Sequence, residues 1–307
     1  MAKLKTIFKI ILNPSKMIKP LGHKGFFNFL PDRIYLKLVY RAETGKKLNL
    51  DEPECFTEKL QWLKLYNRKL EYSMYVDKYK VRSYIADKIG EKHLIPLVDE
   101  VYTNVDDIKW DKLPMEFVIK CNHGSGTNII CKDKSKLNID MSKKKLKKWM
   151  KKSWYSFGRE WPYKSIEKKI IVEKLLYDKN QATLNDYKFW VFNGEVKYIN
   201  VHFKIKDKTI FNIYNLNWEL QNFGMVYEND ASIRHEKPIN LNQMIIYAEK
   251  LAYELPFVRV DFYEVNNQVY FGEITFYPTS GFIKFHPNHS ELDRKYGKLL
   301  SLDDLVK

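Results

Sequence analysis

Four polar residues interrupt two apolar segments late in the sequence: Arg259 and Asp261 in FVRVDFYEV, and Glu273 and Thr275 in VYFGEITF. Alternation of this kind reads as two strands of a hairpin, with polar and apolar sets on opposite faces. A two-residue turn at Asn266-Asn267 pairs Asp261 with Gly272 and sends Glu273 to the other face. A three-residue turn from Asn266 to Gln268 sets Asp261 against Glu273 and Arg259 against Thr275. It also gathers Val258, Val260, Phe262, Tyr270, Ile274 and Phe276 on the reverse face. The hydrophobic pattern therefore predicts the three-residue turn. Two carboxylates facing each other at roughly 5 Å between Cβ atoms repel unless a cation lies between them. Mg²⁺ suits this task, since it takes one or two carboxylates and fills its shell with water and phosphate oxygens. Pairing of the carboxylates with an arginine is the commoner arrangement on a hairpin, and the residues alone leave both readings open.

The elements that must hold this hairpin are legible in outline. Phe117–Cys121 and Asn128–Cys131 read as short strands around the loop Asn122-His123-Gly124-Ser125-Gly126-Thr127, whose glycines mark a turn. Lys169–Leu176 reads as a strand, and Tyr187–Phe192 joins Val196–Phe203 through Asn193-Gly194, a strong hairpin signal. Tyr75–Ile89, stopped by Gly90, and Asn242–Leu255 read as helices. Seven lysines between Lys143 and Lys152 surround Leu146, Trp149 and Met150 at helical spacing, the pattern of a solvated basic face.

The chain has 307 residues, 45% of them hydrophobic, enough for a sizeable core in one or two domains. Its net charge of +15 calls for an anionic partner, such as a nucleotide, an acidic sugar or glycan, or a membrane surface. Nucleic acid is not expected, because the basic helix lacks exposed stacking aromatics. Cys55, Cys121 and Cys131 lie in no metal-ligand spacing and are odd in number, which fits a reducing, cytoplasmic setting. No apolar run approaches the roughly 20 residues needed to span a bilayer, and no signal peptide is expected. Residues 1–72 form a basic, aromatic, proline-cut extension with short helices such as Thr57–Tyr66. At its start Leu4, Ile7, Phe8 and Ile11 lie among Lys3, Lys5 and Lys9, the spacing of an interfacial helix on the inner face of a membrane. The same spacing serves a helix packed on the body.

The order of motifs resembles the TupA-like proteins of the ATP-grasp superfamily, which are associated with bacterial cell-surface polysaccharides. The resemblance rests on DKYKVR from Asp77, LPMEFVIKCNHGSG from Leu113, IIVEKLL from Ile170, DYKFWVFNGEV from Asp186, and FVRVDFY with VYFGEITFYPTSG, spanning residues 57–285. It implies an α+β ATP-grasp fold, two subdomains gripping ATP, behind the basic helical extension. The catalytic region would cover residues 73–307, with a nucleotide lid at about 113–176 and a metal-binding subdomain at about 177–290.

Residue by residue, the resemblance implies nucleotide contacts from Lys78, Lys120, the loop His123, Gly124, Ser125 and Gly126, and Asp186. Glu173, Lys174, Leu175 and Leu176 match the adenine hinge. Lys188 matches the lysine that reaches the terminal phosphate, and Arg259 the arginine that steadies the acyl phosphate. The superfamily's metal motif falls on Asp261, Glu273 and Thr275. Thr275 stands where that motif has Asn, and its hydroxyl is a weaker ligand. The activity implied is an ATP- and Mg²⁺-dependent ligase joining an anionic sugar or glycan carboxylate to an amine such as an amino acid. A glycosyltransferase, or a nucleotide-binding module without catalysis, is the alternative.

Overall fold

The structure is a computed structural model that describes residues 18, 21–22, 25–178, 184–205 and 208–305. The interfacial segment expected at Leu4–Ile11 lies outside the described residues. Of the described residues, the first elements with complete bounds are α1 (Asp32–Thr44) and α2 (Phe56–Tyr66), then the short α3 (Tyr72–Val76) and α4 (Val81–Ile89). Where the sequence predicts one helix from Tyr75 to Ile89, the chain breaks at Asp77. Its backbone is extended (φ −77°, ψ 108°), and its carboxylate accepts hydrogen bonds from the Tyr79 and Lys80 amides at 2.9 and 3.1 Å. An aspartate so placed opens a new helix rather than continuing the old one.

A small antiparallel sheet follows, built from β1 (Phe117–Cys121), β2 (Asn128–Cys131) and β3 (Ile170–Glu173) in the order β2-β1-β3. Between β2 and β3 run the lysine-rich α5 (Ile139–Met150) and the short α6 (Trp154–Gly158). Leu146 of α5 packs on Phe117, Ile119, Ile170 and Val172, giving this lobe its own core. As the periodicity predicts, the lysines of α5 point outward from that single buried leucine.

The larger lobe is a five-stranded antiparallel sheet made of β4 (Asp186–Phe192), β5 (Glu195–Ile205), β6 (Lys208–Tyr214), β8 (Phe257–Val265) and β9 (Gln268–Thr275). Its order is β6-β5-β4-β8-β9. Between β6 and β8 come β7 (Gly224–Met225) and α7 (Leu241–Leu251). After β9 come β10 (Phe285–His286), paired with β7, and α8 (His289–Leu299). The Asn193-Gly194 turn has positive φ at both residues (48° and 82°), as a tight hairpin requires.

One face of this sheet is buried under α2, α4, α7 and α8. Phe56 at the start of α2 is fully buried, with its ring 4.9 Å from Phe257 and 5.3 Å from Phe192. Asp293 of α8 accepts hydrogen bonds from the Thr57 amide at 2.9 Å and its hydroxyl at 2.7 Å, satisfying free donors at the α2 N-terminus. The extension expected to end at residue 72 thus shares its core with the last strands and the last helix. The other sheet face turns its polar residues toward the small lobe.

Candidate active site

The hairpin β8–β9 pairs Arg259 with Thr275 and Asp261 with Glu273, the register the apolar pattern selects. It is reached by a different route. The turn has two residues, Asn266 and Asn267, both left-handed (φ 49° and 61°), so Val265 pairs with Gln268. Gly272 is then an extra residue in β9 that shifts the register by one between Phe262 and Asp261. Such a bulge leaves one residue without an opposite partner and re-aims the side chains beyond it. Phe271 and Val269, rather than Tyr270, consequently occupy the buried face. A side chain at Gly272 would begin 3.0 Å from the Asp261 carbonyl oxygen.

On the open face the charges alternate. Lys188 of β4, paired in register with Asp261, contacts the Asp186 carboxylate and lies 2.6 Å from Asp261 Oδ2. Arg259 forks onto Asp261, with Nε 2.6 Å from Oδ1 and Nη2 2.7 Å from Oδ2, and its Nη2 also lies 3.0 Å from Glu273 Oε1. Lys78, freed from a helix by the break at Asp77, donates to Glu273 Oε2 at 3.0 Å. Thr275 donates its hydroxyl hydrogen to Glu273 Oε1 and accepts from Arg259 Nη2, each at 3.2 Å.

Burial works against the charges of Glu273, Lys188, Arg259 and Asp186, and the neighbours decide the outcome. Burial would raise the Glu273 pKa, yet Lys78, Arg259 and Lys188 hold it well below the usual carboxylate range. Burial would lower Lys188, but Asp261 and Asp186 keep its ammonium above its ordinary value. Burial would likewise lower Arg259, and Asp261 and Glu273 more than reverse it. Asp186 is the exception: burial pushes its carboxyl up to about 6 although Lys188 pulls the other way. Its Oδ1 is buried without a hydrogen-bond partner.

These side chains line a cavity of about 330 Å³ shared with the small lobe, from which Lys120, Ser125, Gly126 and Asn128 reach in. Lys120 extends from β1 to Glu173 at the end of β3, Nζ to Oε2 2.6 Å, and Arg82 approaches the same carboxylate at 3.7 Å. A narrow crevice of about 20 Å³ adjoins, lined by Val81, Leu94, Ile95 and Phe271 beside Lys120 and Glu173. Beyond Glu173 the strand stops earlier than the predicted Leu176. Lys174 is exposed and donates its amide hydrogen to the Pro96 carbonyl at 2.9 Å, while Leu175 and Leu176 are half-buried.

The structure corrects the expected contact from His123. Its ring is 3% exposed under the glycine loop, with Nε2 3.3 Å from the Trp149 carbonyl oxygen, and it does not line the cavity. Burial and the nearby Lys168 lower its pKa to about 4, so it is a neutral packing residue at neutral pH. Gly124 is required by packing as well, since a Cβ there would sit 1.9 Å from the Trp154 indole nitrogen. Gly126 is the residue of the loop with a left-handed backbone, φ 65°, and open space around it.

Thr127, Asn128, His202, Tyr263 and Gly272 line the cavity but escape the motif reading, as does Arg82 in the adjoining crevice. Arg82 stands one helical turn after Lys78 in the same DKYKVR segment, a spacing that could have shown it. Tyr263 follows Asp261 on the same strand face. His202 on β5 pairs with Asp186 across the strands, which only the tertiary register reveals. Burial, Lys188 and Arg259 together depress the His202 pKa to about 2, so it too is neutral.

A five-stranded antiparallel sheet with alternating lysine, arginine and carboxylates faces a small glycine-looped sheet across a cavity, a two-lobed arrangement. The sequence profile of the family described as TupA-like ATPgrasp matches residues 58–301, and the chain belongs to that family. No curated protein matches the chain. Among solved structures it is similar to D-alanine–D-alanine ligase from Bacillus anthracis complexed with ATP, at 18% identity and TM-score 0.40, covering 68% of this chain and 56% of that one. The corresponding ligase from Helicobacter pylori gives 16% identity and TM-score 0.41, covering 82% and 66%. N5-carboxyaminoimidazole synthase from Aspergillus clavatus, in complex with ADP and its ribonucleotide, gives 10% and 0.39, covering 67% and 46%. The chain thus spans little more than half the length of the first of these ligases.

Proposed function

We propose that the chain is an ATP-dependent carboxylate–amine ligase. The observation that carries this reading is the unbroken row Asp186, Lys188, Asp261, Arg259, Glu273, Lys78 on one sheet face, opening into a cavity that Lys120 and the Ser125-Gly126 loop close from the other lobe. Lys120, Lys78 and Lys188 suit the phosphate oxygens of ATP, being flexible point charges. Amides of the glycine loop add donors that need no side-chain clearance. Leu94, Ile95 and Phe271 offer apolar surface to the base, with the backbone after Glu173 reading its edge; the crevice between them, about 20 Å³, has room for about one water and would have to widen to admit it.

In the reaction a substrate carboxylate oxygen attacks the terminal phosphorus of ATP, forming an acyl phosphate and releasing ADP. An amine nitrogen then attacks the acyl carbon, phosphate leaves, and the nitrogen loses a proton to give the amide. Arg259, already held as a fork by Asp261, is placed to stabilise the charge on the acyl oxygen, an effect of roughly 3 to 4 kcal/mol in comparable sites. No covalent nucleophile on the protein is needed.

Asp261 and Glu273 carry hard oxygens of the type Mg²⁺ takes, with Thr275 as a neutral third, but here the Arg259 guanidinium lies between them, Nη2 2.7 Å from Asp261 Oδ2 and 3.0 Å from Glu273 Oε1, so a bound Mg²⁺ would have to displace it. The orphaned Asp186 oxygen adds an uncommitted acceptor at the same cavity. Bound there with the nucleotide, Mg²⁺ would neutralise phosphate charge, and Lys78 and Lys188 would then be available to the nucleotide.

The family association supports an anionic sugar or glycan of the cell surface as the carboxylate and an amino acid or peptide as the amine, handled in the cytoplasm or at the inner face of its membrane. No helix among the described residues is long and apolar enough to cross a membrane. Phosphate release from ATP, measured against panels of uronic acids and amino acids, tests the reading. Release that requires both partners supports it. Heat protection by sugar nucleotides but not by ATP would replace it with a glycosyltransferase.

A further inference from the structure

We infer that the outer face of α1, with the turn that leads into it, is the surface by which this protein lies on an anionic bilayer. The inference rests on the reading that the substrate is handled at a membrane face, and it assigns that contact to particular residues of the folded part.

At about 100° per residue, α1 divides into two halves. Tyr35, Leu36, Val39 and Tyr40 are buried against the body. Arg33, Lys37 and Arg41 form one exposed row, and Ile34 and Leu38 form a second beside it, 51% and 46% exposed. Together the five cover an arc of about 140° that contains no acidic side chain. In the preceding turn Phe26 is 62% and Phe29 75% exposed. Phe27 lies between them in sequence and packs against Tyr35, ring centroids 5.8 Å apart and tilted by 37°, which ties the turn to the helix. Four of the fifteen large exposed apolar side chains among the described residues therefore fall within residues 26–38.

In water such a surface keeps apolar area exposed with no return. At a bilayer boundary Phe26, Phe29, Ile34 and Leu38 can enter the headgroup and acyl region while the adjoining basic row meets anionic phosphates. Charge decides the choice of partner: three cations flank the apolar side chains, with only Arg33 engaged, at 3.0 Å from the exposed Asp51. Asp32, the acidic residue nearest in sequence, is turned inward onto Arg68 and Arg159. The lysine face of α5 is on the small lobe, carries more charge and lacks such an apolar row, so it suits solvation rather than insertion.

The test is co-flotation of the full chain, without ATP, with vesicles of phosphatidylcholine alone and with vesicles also containing phosphatidylglycerol. Binding should be confined to the anionic vesicles and weaken with salt. Lys37→Gln with Arg41→Gln should lower partitioning about fivefold per charge removed, and Ile34→Ser with Leu38→Ser about tenfold or more. Protection from heat by ATP, measured on each variant in solution, should be unchanged. No binding to either vesicle, or full binding by both variants, overturns the assignment. So does binding that disappears on deletion of residues 2–12 while both variants bind normally. Each of these outcomes leaves the ligase reading standing, and loss of ATP-dependent phosphate release with vesicle binding intact would remove that reading alone.

Discussion

Asp261 and Glu273 face each other across β8 and β9 because Gly272, between Phe271 and Glu273, is bulged out of the pairing. Were Gly272 paired regularly with Asp261 behind the two-residue Asn266-Asn267 turn, Glu273 would fall on the buried face, and the row of charges from Asp186 to Lys78 would be cut.

Gly272→Ala should therefore damage the site through the backbone. Its Cβ would meet the Asp261 carbonyl oxygen at 3.0 Å and the Tyr263 ring at 3.3 Å. We expect a loss of about 1 to 3 kcal/mol in denaturant unfolding, the range for overpacked sites, together with reduced ATP turnover. An unchanged midpoint and unchanged turnover would show that the bulge tolerates a side chain.

Glu273→Gln keeps the shape of the side chain and removes its charge. The fold should persist, since Glu273 is partly exposed and its cationic partners Lys78 and Arg259 remain near water or Asp261. ATP-dependent phosphate release should fall by about 100-fold or more, the scale of losing a preorganised charge contact. Full turnover with a normal circular dichroism spectrum would remove this carboxylate from the metal assignment.

Lys188 is 8% exposed and sits between two carboxylates. Lys188→Met leaves the Asp186 carboxylate without its cation and Asp261 with Arg259 alone, which should cost about 3 to 5 kcal/mol. Adding Asp186→Asn should recover part of that stability without restoring turnover. Recovery of both together would mean that Lys188 serves the fold alone.

His123 provides a pH signature. Its folded pKa of about 4 lies below the unfolded value of 6.5, so the unfolded chain takes up the proton first. The contribution is fully present above pH 6.5 and is lost as the pH falls toward 4. A shift of this size corresponds to about 3 kcal/mol. His123→Gln should flatten the thermal midpoint between pH 6.5 and 4 relative to the parent chain. Identical slopes would place the acid sensitivity elsewhere, with the neutral His202 as the next residue to replace.

The local pattern of the sequence determined a good deal of this protein. Alternation along 257–276 was enough to pair Asp261 with Glu273, because burying one face of a strand leaves few registers that keep every apolar residue inside. Asn193-Gly194 announced its hairpin, and the single apolar row of α5 announced the orientation of its lysines. The family motifs marked Lys78, Lys120, Lys188 and Arg259, all of which meet at one cavity.

What the tertiary structure alone decided depends on contacts between distant segments. The compensation of a two-asparagine turn by a glycine bulge gives the same pairing as a longer turn, so alternation cannot tell the two apart. His123 sits beside the glycines in sequence, yet Trp149 and the packing beneath the loop hold it away from the cavity. His202 joins the site through strand pairing with Asp186, and Asp293 caps α2 from 236 residues away. Sequence periodicity records which face of an element avoids water; which other element covers that face, and which charge ends beside which, is set when the two lobes and the last helix pack together.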